Sequence, residues 1–383
     1  MLASRRAGME SRRWVRGTFF DTVRPLTHHG GTDAPEPGPL RIAQVAPLIQ
    51  RVPPETSGGT ERVVHDLTEA LVARGHEVTL FAADGSRTSG TLMPQGPPVA
   101  EREREGVPPG YPAAREATLW DAVATRADAG DFDVVHCHTE FHHAHTLRHM
   151  RDRTLTTVHW RVDEADRQHY FSHFTDLPVA AISQAQGSAM PQANVVGTVH
   201  HGLPPDRYRM GDGARGDVAF LGRLTDQKGP DRAIRAARAA GLPIRLAGDR
   251  DVGNPTYFEN AVEPLLGPDV TLLGPVDDAG KQALLGGAGV FVMPIDWPEP
   301  FGLVMIEAMA CGTPVVATPF GAAPEIVEEG ISGFVVELSD LPDALRAALA
   351  LDRRAVRDAF ERRFTAMRMA AAYETIYHRL HGA

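Results

Sequence analysis

Short apolar runs alternate along the chain with segments whose apolar residues recur at helical spacing. The first strand-like run is "RIAQVAPL", Arg41 to Leu48. After a proline-rich connection, Val63, Val64, Leu67, Ala70 and Leu71 fall three or four positions apart, Gly75 stands where a helix can end, and "EVTLFAA" supplies the next strand. The spacing predicts a strand–loop–helix–strand unit. The same grammar recurs at "DFDVVHCH", "TLTTVHW" and "PVAAISQ", while residues 87–115, rich in Pro and Gly, read as loop.

A second series begins after "HGLPPDRYRMGDGARG", whose Pro and Gly content suits a connection between domains. It runs through "DVAFLGRL", the helix "GPDRAIRAARAAG", "PIRLAGD", "VTLLGPV", "KQALLGGA", "GVFVMPI", a proline-rich turn with an apolar helix, "TPVVAT" and "GFVVE". Strands alternating with helices in both halves predict an α/β protein of two doubly wound, Rossmann-like parallel-sheet domains facing each other across a cleft. Ligands of such sheets bind at the carboxyl ends of the strands, so functional residues are expected in strand-to-helix loops.

Composition narrows the class. A chain of 383 residues with 43% hydrophobic content can bury two cores. The formal net charge of −10 argues against nucleic acid as a partner. Cys137 and Cys311 are too few for a disulfide framework, which fits a reducing cytosol, and no apolar run is long enough to span a membrane. Residues 1–39, rich in Arg, Gly and Pro, lack the apolar core of a signal peptide and are expected to be a disordered extension, with Met9 as an alternative start. Its basic residues offer at most a peripheral contact with a membrane. The sequence carries no signature of oligomeric state.

Three loops carry candidate chemistry. In "TSGGTERVV", Gly58 and Gly59 let backbone approach a ligand, and the helix that follows presents unpaired N–H groups, a suitable seat for phosphate; a flexible turn capped by Thr60 explains the two glycines equally well. The G-x-G-x-x-G fingerprint of nicotinamide sites is missing. In "FLGRLTDQKGPDRAI", Arg223 and Lys228 flank a strand-to-helix loop, a fork and a point charge that together suit a diphosphate. In "WPEPFGLVMIEAMACGTPVVA", Glu299 and Glu307 bracket an apolar run. On one continuous helix they would be separated by roughly 12 Å of rise and about 80° of rotation. Pro298 and Pro300 instead predict a loop carrying Glu299 and a helix starting near Phe301 or Gly302, so that both carboxylates reach one ligand at its N-terminal end. Backbone donors at Phe301, Gly302 and Leu303 suit phosphate, and carboxylates suit neutral hydroxyls such as those of a ribose or hexose. A nucleotide sugar satisfies all three loops. The bland alternative leaves Glu299 exposed and Glu307 as a helix cap.

Over residues 40–380 the chain resembles the retaining glycosyltransferases of family 4, which have the two-Rossmann GT-B fold. "EPFGLVMIE" fits that family's E-x7-E motif, "GRLTDQKG" its Arg/Lys diphosphate motif, "GGTERVV" its glycine loop and "ACGTPVVATPFGAAPEIV" its C-terminal pattern. The resemblance implies an N-terminal acceptor-side domain at 40–205, a nucleotide-sugar domain at 212–365 and a helix at 366–383 returning to the first domain. It implies that Glu307 holds the ribose hydroxyls, that Glu299 reads the donor sugar with the N–H groups of 301–303, that Arg223 and Lys228 grip the diphosphate with Gly59 opposite, and that His138 contacts the sugar near the reacting centre. Ser57 departs from relatives that carry an aromatic residue there, which touches acceptor contacts and not donor binding. His159 ends a strand and faces either the acceptor or the core. Retention of configuration without a metal follows from the resemblance, with a nucleotide-diphosphate sugar as co-substrate, no cofactor and an unknown acceptor. His136, His138, His142, His143 and His145 also admit a zinc reading, but no cysteine pair or carboxylate stands at ligand spacing, so the pattern is read as non-metallic. An epimerase or phosphorylase on the same fold, and a non-catalytic sugar-nucleotide sensor, are the rival functions.

Overall fold

In a computed structural model, which describes residues 38–55, 58–139, 142–251 and 253–382, these residues form two wholly parallel sheets. The first contains β1 (Arg41–Val45), β2 (Glu77–Ala82), β3 (Thr91–Pro94), β4 (Val134–Cys137), β5 (Thr154–Thr157), β6 (Pro178–Ala181) and β7 (Asn194–Thr198), in the order β3-β2-β1-β4-β5-β6-β7. The second contains β8 (Val218–Leu221), β9 (Ile244–Ala247), β10 (Val270–Gly274), β11 (Val290–Met293), β12 (Val315–Ala317) and β13 (Gly333–Val335), in the order β10-β9-β8-β11-β12-β13. This is the doubly wound arrangement that the alternating pattern predicts. Every residue of β4, β8, β11 and β12 is buried, as expected where helices cover both faces of a sheet.

Strand order reverses beside β1 in one sheet and beside β8 in the other. Such reversals open a crevice at the carboxyl ends of the strands. The glycine loop follows β1, the Arg223–Lys228 loop follows β8, and the Glu299 turn follows β11, so all three candidate loops lie at those ends.

Residues 87–115 are not loop. They contain β3, the short helix Val99–Arg104 and the start of the helix Tyr111–Asp128. The prolines that suggested a loop occupy tolerated positions: Pro94 ends an edge strand, and Pro112 lies in a first helical turn. Residues 160–175, between β5 and β6, contain a helix, Ala165–His173. Strand β7 had no clear sequence signal, and its half-exposed "NVVGT" run explains why. Residues 1–37 of the expected extension, and Ser57, lie outside the described residues.

The helix Ala366–His381 packs on the helix Gly59–Ala73, where Met369, Tyr373, Ile376 and Tyr377 share a buried cluster with Ile42, Leu67 and Leu71. Both sheets lie in one compact unit starting at Pro39. Among the described residues no helix is long and apolar enough to cross a membrane.

Candidate active site

The helix after β11 runs Leu303–Ala310, and its N-cap is Gly302 in the left-handed region (φ 88°). Gly302 has no side chain to cap the helix, so the first-turn N–H groups are free of a side-chain acceptor. Glu299 is in the preceding turn, and its backbone carbonyl accepts from Ala322 N at 2.9 Å. Its carboxylate pairs with the Lys228 ammonium, which also sits 4.7 Å from the Trp297 ring centre.

Glu307 lies within the body of the helix and is 2% exposed. Its Oε1 accepts from Lys281 Nζ at 2.8 Å and from the Tyr208 hydroxyl at 3.1 Å, while Oε2 is buried with no partner. Neither part of the bland reading holds: Glu299 is 8% exposed, and Glu307 is not a cap. A buried carboxylate beside an ammonium and carrying an unsatisfied oxygen is costly unless a ligand supplies donors. Burial and the adjacent Glu307 charge push the Tyr208 phenol well above its usual range, so it stays a neutral donor.

A cavity of about 640 Å³ brings together Gly59, His159, Arg223, Lys228, Glu299, Phe301, Gly302 and Leu303. The glycine loop and the Leu303–Ala310 helix meet closely here: a Cβ on Gly59 would stand 3.5 Å from Leu303 Cδ1. Among the described residues the Arg223 side chain has no ion-pair or hydrogen-bond partner, so its fork is available to a ligand. Thr60 is not an N-cap; that position belongs to Gly58, again with no side-chain cap. Gly58 and His138 line a second cavity of about 520 Å³, which shares Gly59, Thr60, Trp160 and Arg167 with the first.

His138 is committed on both ring nitrogens. Nε2 lies 2.6 Å from Gln44 Oε1, and Nδ1 lies 2.9 Å from His159 Nε2. Gln44 Oε1 is acceptor-only, so His138 carries its proton on Nε2 and accepts at Nδ1 from His159. His159 Nδ1 is then a bare, buried acceptor without a partner. His136 bridges the Tyr377 hydroxyl and Thr157 Oγ1, each at 2.7 Å. Burial drives His136, His138 and His201 well below the usual imidazole range and His159 down to about 3, so all four are neutral near pH 7. His142 pairs with Glu116 and His143 with Thr156. Among the described residues no group of three or more His, Cys, Asp or Glu side chains is arranged to hold a metal ion.

Sequence reasoning overlooked Lys281, Tyr208, Trp160 and Gln44. One signal for Lys281 was available: Lys228 and Lys281 are the only lysines in the chain, and each is paired with one glutamate of the E-x7-E segment.

Sequence models of two families match successive parts of the chain: Glycosyltransferase Family 4 over residues 57–201 and Glycosyl transferases group 1 over residues 215–351. The D-inositol 3-phosphate glycosyltransferase of Mycolicibacterium smegmatis is 28% identical over 370 residues, spanning 82% of this chain and 83% of that protein. Its counterpart in Mycobacterium bovis is 29% identical over 375 residues, spanning 82% and 76%. Among solved structures, AviGT4, a glycosyltransferase involved in avilamycin A biosynthesis, superposes with a TM-score of 0.68 at 24% identity over 90% of this chain and 99% of that one. Anabaena HepE, solved with UDP and glucose, gives 0.65 at 20% identity over 88% and 99%. Two family models in tandem on two facing Rossmann-like sheets show that the chain belongs to the family 4 glycosyltransferases and has the GT-B fold.

Proposed function

We propose that the protein transfers a sugar from a nucleoside-diphosphate sugar to an acceptor hydroxyl with retention of configuration and without a metal ion. The observation that carries this reading is the first cavity, where the unpartnered Arg223, Lys228 and the uncapped N-terminus of the Leu303–Ala310 helix surround the Glu299 carboxylate. HepE, a structural neighbour, is solved with UDP-glucose, which supports a nucleotide sugar as donor.

The bond between the anomeric carbon and the diphosphate oxygen breaks, and the electron pair stays on the leaving oxygen. The acceptor oxygen forms the new bond from the same face, and its proton passes to the leaving phosphate. Charge accumulates on the diphosphate, so preorganised donors there lower the barrier most. Arg223 offers a bidentate fork and Lys228 a point charge, the work that a divalent ion does in other enzymes. Lys228 reaches the phosphate while still neutralising Glu299, which accepts sugar hydroxyls. Glu307 takes the ribose, presenting its free Oε2 to one hydroxyl. His138 acts through Gln44 and His159, and the bare Nδ1 of His159 is the acceptor it orients at the cleft wall. Buried, unpaired Cys137 and Cys311 suit a reducing compartment.

The test is a panel of nucleotide sugars screened by thermal shift, followed by NMR of the product formed from the best binder by EDTA-treated enzyme. The same anomeric configuration in donor and product, at undiminished rate, is the expected result. An inverted product, or activity restored only by magnesium, manganese or zinc, overturns the reading. Epimerised donor without a glycosylated product, or dependence on inorganic phosphate, would favour the epimerase or phosphorylase alternative.

A further inference from the structure

The second cavity holds a carboxylate that donor binding does not use. Glu61, in the first turn of the Gly59–Ala73 helix, is 5% exposed and lines this cavity. Among the described residues it has no ion pair and no hydrogen bond from another residue. It lies against the glycine loop, because a Cβ on Gly58 would stand 3.1 Å from Glu61 Oε2. The adjacent Gly59 faces the donor helix at Leu303. Burial raises the Glu61 carboxyl above its ordinary value, as expected for an acid waiting for a donor.

The rest of the lining has two characters. Leu48, Val99 and Leu119 form an apolar wall, and Ile49 (47% exposed) and Trp160 (52% exposed) form its rim. The charges are poorly suited to an anion. Glu61 and Glu116 both face the cavity, the Arg167 guanidinium is held by Glu164 at 2.9 Å and Asp166 at 2.6 Å, and His142 is paired with Glu116. Bringing a phosphate into this setting places it beside the unpaired Glu61 carboxylate, and among the described lining residues no uncommitted cation offsets that charge.

Resting on the transfer reading above, we infer that Glu61 determines acceptor specificity, accepting a hydrogen bond from a hydroxyl of an uncharged polyol whose apolar face or chain lies on Ile49 and Trp160. Anionic acceptors such as the inositol 3-phosphate in the relatives' names are excluded by the same charges.

Isothermal titration of octyl β-D-glucoside, below its micelle concentration, and of D-inositol 3-phosphate into both the free and the UDP-saturated protein tests this. Octyl glucoside should bind at least about tenfold more tightly than inositol 3-phosphate, and E61Q should weaken it by about tenfold, the loss of one charge-assisted hydrogen bond. UDP affinity and melting temperature, read on E61Q, report its fold. I49S, at an exposed position, gives a second reading and should also weaken the glucoside. Tighter binding of inositol 3-phosphate, no binding of the glucoside, or unchanged glucoside affinity in E61Q overturns the inference. Failure of UDP, ADP, GDP and dTDP all to bind while the glucoside still does would sink the transfer reading and leave the Glu61 assignment standing.

Discussion

At the scale of single residues, the chain handles its cations unevenly. Arginine serves nearly everywhere, and lysine is confined to Lys228 and Lys281, each facing one glutamate of the E-x7-E segment. An ammonium can hold a carboxylate from one side and leave room for a ligand on the other, whereas a guanidinium fork would occupy both carboxylate oxygens. This is why Glu307 keeps Oε2 free. Lys281→Ala should strip the partner from a buried carboxylate and cost about 2–3 kcal/mol of stability, below the usual range for a fully buried pair because Lys281 is 22% exposed. Its nucleotide affinity should fall with that of Glu307→Ala, by roughly ten- to a hundredfold, whereas Glu299→Ala should damage transfer and leave affinity for the free nucleoside diphosphate nearly unchanged. Calorimetry with UDP checks the division: equal losses in the two glutamate variants, or no loss in Lys281→Ala, would contradict it. Lys228→Ala should cut turnover by orders of magnitude, because its charge matters most as the diphosphate departs. Unchanged steady-state rates in that variant would remove Lys228 from the reaction.

At the scale of elements, the Glu299 turn depends on two glycines with different constraints. Gly302 takes a left-handed conformation, but a Cβ there would meet mainly the mobile ends of Met305 and Met293. Gly321 also has positive φ (57°), and a Cβ there would come within 2.1 Å of Glu299 O and 2.4 Å of Glu299 N. Those are backbone atoms and cannot swing aside. Gly321→Ala should therefore displace Glu299 and reduce transfer severely, while Gly302→Ala should cost about 1 kcal/mol of stability and less activity. Comparing kcat for the two variants checks this, and a more active Gly321→Ala enzyme would refute it. The turn itself was legible: Pro298, Pro300 and Gly302 in a row allow only a loop followed by a helix start. The strand ends carrying Arg223 and His138 were legible for the same kind of local reason. The helices inside 87–115 and 160–175 were not, because the prolines of the first segment and the charges of the second carry a loop-like local signal and only packing decides the outcome. Gly321 as a support for Glu299 was also invisible, since the contact joins loops after β11 and β12 that sequence spacing does not bring together. Lys281 lay on a predicted helix, but nothing local says that the helix faces Glu307.

At the scale of the whole molecule, polar contacts bind the two sheets' halves across the cleft. The Glu325 carboxylate accepts from the N–H groups of Gln184 at 2.8 Å and Ala185 at 2.7 Å, and Arg62 pairs with Asp278 at 2.8 Å. Behind the cleft wall, the C-terminal helix reaches His138 through Tyr377 and Gln44, with Gln44 Nε2 donating to the Tyr377 hydroxyl at 3.1 Å. The imidazoles in this network are neutral in the folded protein, with values lowered by burial, and they recover the ordinary value near 6.5 only on unfolding. Below pH 6.5 the unfolded chain therefore binds protons that the folded chain refuses, so stability falls as pH falls. Each neutral histidine contributes about 1.4 kcal/mol per pH unit in that window, and the four of His136, His138, His159 and His201 together approach about 5 kcal/mol per unit. Carboxylates such as Glu325 and Glu374, whose values are lowered, add their loss only at more acidic pH, near and below the ordinary carboxylate range. The expected result is a urea midpoint that is level from pH 8 to 7 and falls steeply between pH 6.5 and 5, before carboxylate protonation contributes. His201→Phe, which keeps a ring against Phe301 and removes one titrating group, should make that fall shallower. A midpoint that stays flat down to pH 5 would mean that the histidines hold protons inside the fold and that the network runs charged, contrary to the tautomers assigned to His138 and His159.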